Sequence, residues 1–89
     1  MSSTPNLESL EASFSTLVLS IGSSAAMALG LSPNPASGEM EKDLKMARFN
    51  IDLLGVLQEK TKGNLNEDEK KFIDFMINDL QMRFVQAQK

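Results

Sequence analysis

The chain has 89 residues, no cysteine, no histidine and a formal net charge of -3. That length holds one domain with a thin core, and the missing residue types exclude disulfide staples and Cys/His metal sites. An acidic balance without a basic cluster gives nucleic-acid binding no electrostatic footing. Small domains of this kind gain stability from tight packing or from a second subunit.

Charge is unevenly spread. Residues 1–38 carry only Glu8 and Glu11, and the first basic residue is Lys42. There is no basic n-region for a secretory signal. Together with the absence of cysteine, this makes the cytoplasm the expected location. Residues 1–7 are polar, broken by Pro5, and read as a loose tail ahead of one helical domain over 8–89.

The periodicity predicts a first helix over about 8–29. At about 100° per residue, Phe14, Leu17, Val18, Ile21, Ala25, Ala28 and Leu29 share one apolar stripe. The opposite side carries Ser15, Thr16, Leu19, Gly22, Ser23, Ala26, Met27 and Gly30, with no charge. Gly22, Ala26 and Gly30 recur every fourth residue, and Ser15, Leu19, Gly22 and Ala26 follow a heptad spacing beside them. Glycine inside a helix costs about 1 kcal/mol against alanine, so this ridge calls for a close contact. Small side chains supply one by letting backbones approach. Two seats are open for it: the second or third helix of the same chain, Gly55 included, or a second subunit.

Residues 31–38, Leu-Ser-Pro-Asn-Pro-Ala-Ser-Gly, end the helix through two prolines, Asn34 and Gly38. This linker extends to Asp43 if that residue caps the second helix, which otherwise starts after Gly38 and spans about 39–62. Met40, Leu44, Ala47, Ile51 and Leu54 form a heptad-like seam continued by Leu57. Glu39, Glu41 and Asp43 at the start and Lys60 and Lys62 at the end suit the helix dipole, and Gly63 fits a left-handed cap.

The third helix is expected over about 67–87. Asn66 and Glu69 have capping-box spacing. Ile73, Met76, Ile77, Leu80 and Phe84 make its stripe with Phe72 beside it, and Asp79 and Arg83 are spaced for an ion pair. The short turn between helices two and three predicts an antiparallel hairpin. The expected fold is all-α, with the apolar first helix packed on that hairpin or on a second subunit.

Phe14-Ser-Thr-Leu-Val-Leu-Ser-Ile-Gly-Ser-Ser-Ala25, Ile51-Asp-Leu-Leu-Gly-Val-Leu-Gln-Glu-Lys-Thr-Lys-Gly-Asn-Leu65 and Asp79-Leu-Gln-Met-Arg83 resemble three motifs of one bacterial family. It is catalogued as domain of unknown function eighteen forty-four. The likeness runs from about residue 14 to 85, and its middle motif is the most specific. Where that family often has Thr or Ser followed by Pro, this chain has Asn66-Glu67. The resemblance implies a helical bacterial domain and brings no activity, substrate or catalytic residue with it.

The chemistry-bearing residues are sparse. Without His, Cys or Tyr the commonest bases and nucleophiles are missing, and Ser15, Ser20, Ser23 and Ser24 have no Lys nearby in sequence. Lys60-Thr61-Lys62-Gly63 closes a helix, whereas a phosphate loop opens one. No catalytic residue, metal or cofactor is expected. The uncharged run Phe14–Leu31 is diluted by serines and flanked by Glu11 and Glu39, a poor membrane span. Met46 and Met82 lie beside the main stripes and suit a contact surface, while Met40 and Met76 read as core fillers.

These residues point to a non-catalytic protein-interaction module. Its expected partner is a second copy, as a homodimer, through Ser15, Leu19, Gly22, Ala26 and Gly30. An unidentified protein partner is compatible with the same surface. Membrane-surface association is the alternative, followed by a small-ligand binder or enzyme.

Overall fold

The chain turns helical at Phe14, one residue after a serine that caps the turn. The computed structural model describes residues 12–88, so the expected tail over 1–7 and the expected helical residues 8–11 lie outside the described residues. Three helices follow: α1 (Phe14–Ala28), α2 (Leu44–Lys60) and α3 (Glu67–Ala87). Among the described residues there is no strand, only an isolated antiparallel bridge between Leu29 and Lys42. The fold is all-α.

α1 starts later than its periodicity predicts because Ser13, in extended conformation, accepts the Thr16 N–H on its hydroxyl at 3.1 Å. It stops in a Schellman arrangement. Gly30 donates to the Met27 carbonyl at 3.0 Å and Leu31 to that of Ala26 at 2.9 Å, with Gly30 left-handed at φ 79°. No acid sits in its first turn and no base in its last. Fifteen residues without dipole support are marginal as an isolated helix, so packing must hold α1.

The linker is an ordered loop that returns the chain to the end of α1. Asn34 organises it. Its Oδ1 accepts from the Ala36 N–H at 2.9 Å, its Nδ2 donates to Glu41 at 2.8 Å, and its carbonyl accepts from Gly38 N–H at 2.7 Å. The Asp43 N–H then donates to the Ala28 carbonyl at 2.7 Å. Asp43 caps α2, accepting from the Met46 N–H at 3.1 Å. The later of the two expected starts is therefore the observed one. Met40, expected in the core seam, is left exposed in the loop ahead of the helix.

α2 and α3 form an antiparallel hairpin. Asn64 donates to the Thr61 carbonyl at 2.9 Å across a turn that holds Gly63 at φ 87°. Farther along, Gln58 donates to Asp74, and near the far ends Ile51 and Gln81 line one shallow groove. The capping box of α3 is complete: Glu69 N–H donates to Asn66 at 2.8 Å and Asn66 N–H to Glu69 at 2.9 Å. Arg83 donates to Asp79 at 2.9 Å.

The core joins Val18, Ala25, Ala28 and Leu29 to Ala47, Ile51 and Leu54 and to Ile73, Ile77 and Leu80. Its largest fully buried side chains come one from each helix: Val18, Leu54 and Ile73. Leu54→Ala should lower unfolding free energy by about 2–5 kcal/mol, the range for a buried leucine that leaves a cavity. Gly55→Ala should raise it by about 0.5–1 kcal/mol, since a Cβ there meets no atom within 4 Å and removes backbone entropy from the unfolded chain. Urea denaturation followed by circular dichroism checks both signs.

Candidate interaction surface

The expected ridge on α1 is not one surface. Gly22 is buried, and the terminal methyl of Met76 on α3 occupies the space that a side chain at 22 would take. Gly30 lies past the helix end, where its left-handed backbone terminates α1. Of the others, Ser15 and Leu19 are exposed and Ala26 is half-buried. Both glycines are thus accounted for inside the chain, the first by close packing and the second by a cap. Gly55 is not the partner of Gly22, being open on its own side. The buried face of α1 is rotated accordingly: it includes Gly22 and leaves Leu17 exposed.

The larger apolar surface is on α2. Met46, Phe49, Leu53 and Val56 are 49, 56, 36 and 55% exposed. Their spacing of three, four and three residues is that of heptad a and d positions. At about 100° per residue they fill an arc of about 80°. The buried residues of the same helix, Ala47, Asn50, Ile51 and Leu54, lie about 130° around from it. The remaining sector holds Lys45, Arg48, Asp52 and Glu59, all exposed. α2 therefore has two apolar faces and one charged face, and among the described residues only one apolar face is covered.

A concavity of about 930 Å³ adjoins this row between α1 and α2, lined in part by Ser24, Met27, Lys45, Met46 and Asn50. Asn50 is the buried polar residue of the core region, and its amide nitrogen donates to the Met46 carbonyl of its own helix at 2.9 Å. That bond leaves the amide nitrogen committed to the backbone. On α3, Phe75, Met82 and Val85 are also exposed, but Asn78 interrupts their row. Met46 and Met82 are thus at the surface, and Met76 packs inward over Gly22.

Among the described residues, no group of three or more acids is placed to hold a metal ion. The acids instead make helix caps and ion pairs one turn apart, such as Arg48–Asp52 at 3.9 Å and Lys70–Asp74 at 3.1 Å. No helix among the described residues is long and apolar enough to cross a membrane.

The Gly22–Met76 contact has a direct test. Gly22→Leu should lower stability by about 1–3 kcal/mol, the range for overpacking a well-filled core. Ser23→Leu, on the neighbouring exposed position, should change it by less than about 0.5 kcal/mol. Equal effects of the two substitutions in thermal denaturation would contradict the assignment of Gly22 to the interior.

Comparison with curated proteins gives no match, and neither does comparison with solved structures. A family match is found over residues 11–86, which covers α1, α2, the loop between them and all of α3 but its last residue. The chain belongs to the family described as Domain of unknown function (DUF1844).

Proposed function

We propose that this chain is a non-catalytic helical interaction module that self-associates. The observation that supports it is the uncovered row Met46–Phe49–Leu53–Val56 on α2. Four large apolar side chains at a and d spacing match what one helix offers another. Contiguous exposed apolar surface on a small domain marks a docking site. The self-association expected on the ridge of α1 has its better seat here, because Met76 already fills the space at Gly22. Apolar burial near the row's centre, at Phe49 and Leu53, would supply most of the binding energy.

The non-catalytic part of the reading rests on composition and placement. His, Cys and Tyr are absent. The concavity between α1 and α2 is lined by Ser24, Lys42, Lys45, Glu41, Asp43 and Asn50 among others, and no hydrogen bond joins the Ser24 hydroxyl to those lysines or carboxylates among the described residues.

Light scattering over a dilution series tests the proposal. The chain should run as a dimer at high concentration and dissociate on dilution. Phe49→Asp should weaken association by about thirtyfold or more, corresponding to a hot spot of about 2 kcal/mol. Its helical circular dichroism should remain, because Phe49 lies outside the core. A chain that is monomeric throughout would overturn self-association. Flotation with liposomes in place of a soluble dimer would replace it with the membrane-surface reading.

A further inference from the structure

We propose that the α2 row is closed by α2 of a second copy, running antiparallel, in the register that sets Met46 against the partner's Val56 and Phe49 against the partner's Leu53. This deepens the self-association reading and rests on it. The residues that flank the row set the orientation.

With Met46 and Leu53 at a and Phe49 and Val56 at d, the g positions are Lys45, Asp52 and Glu59, and the e positions are Asn50 and Leu57. Only the g flank carries charge. A parallel pair would set g against e, leaving Lys45 and Glu59 opposite uncharged side chains. An antiparallel pair sets g against g. In the stated register Lys45 then faces the partner's Glu59, and by the two-fold symmetry this opposite-charge pair occurs twice. Among the g positions, like-charge contact arises only at the axis, where Asp52 meets its own copy, and there each Asp52 has Arg48 at 3.9 Å on its own helix.

The other flank adds no charge: Asn50 is buried and donates to the Met46 carbonyl of its own helix, and Leu57 is half-buried. The apolar layers are also balanced in size: Phe49 is matched with leucine, and Met46 with valine. The concavity beside Met46 and Asn50 lies on this flank, so the second α2 would lie along its edge.

The row spans eleven residues, a rise of about 15 Å along the helix. That makes a small interface against the roughly 800 Å² per partner of a standard one, so the association is weak, and measurements must span about 1 µM to 1 mM.

The experiment is sedimentation equilibrium on the full chain and on Lys45→Glu, Glu59→Lys and the double variant. All these positions are exposed, so folding is preserved. Each single variant converts two attractions into two repulsions and should weaken self-association by about tenfold. An equimolar mixture of the two single variants should restore it, because both pairs between positions 45 and 59 in the mixed dimer are then of opposite charge. The double variant should also return to the wild-type value. A mixture that associates no better than either variant alone overturns the register. A wild-type dimer that is broken by Phe49→Asp but indifferent to all charge variants also overturns the register and leaves self-association intact. A wild-type monomer overturns both.

Discussion

The fold depends on how an uncharged helix is held against a charged hairpin. α1 has no side-chain charge to complement its dipole, and at fifteen residues its helicity rests on burial. Val18, Gly22 and Ala25 are the buried residues in its middle. At Gly22 the absence of a side chain lets Met76 of α3 lie directly over the backbone. Dispersion contacts are short-ranged, so this close approach is worth more than the area of one methyl group implies. The loop centred on Asn34 then ties the end of α1 to the start of α2 through the Asp43 to Ala28 bond.

One consequence is that, among the described residues, part of the apolar surface of α2 stays uncovered. α1 packs along one side of it and α3 along another, both around the face of Ala47, Ile51 and Leu54. Met46, Phe49, Leu53 and Val56 remain outside. Among the described residues nothing lies over this row, and the charge pattern around it fits a second α2.

Much of this was readable from residue pattern because its causes are local. Asn66 and Glu69 make their capping box within one turn, Asp79 and Arg83 meet across one turn, and the stripe Ile73, Ile77 and Leu80 follows from helical period alone. The caps also decide the boundaries: Ser13 and Asp43 begin α1 and α2, whereas periodicity alone carries both helices too far toward the N-terminus. What residue pattern left open depends on neighbours distant in sequence. Gly22 and Gly30 look like one ridge when only α1 is considered, yet one is buried by α3 and the other terminates a helix. The α2 row carries the same three-and-four spacing as the core seam. The seam through Leu44, Ala47, Ile51 and Leu54 masked it, because a helix with two apolar faces gives two overlapping periodic signals. The family likeness legible in the motifs over about residues 14–85 agrees with the family match over residues 11–86.

The methionine methyl groups report all parts of this account at once, through carbon-13 methyl NMR with a soluble paramagnetic agent over a dilution series. The account predicts that the Met76 methyl is shielded at every concentration, with a nuclear Overhauser contact to Gly22. The Met46 methyl should be exposed when dilute and become protected as the chain associates, while Met82 stays exposed throughout. A solvent-exposed Met76, or a Met46 methyl that never gains protection as the protein is concentrated, would contradict it.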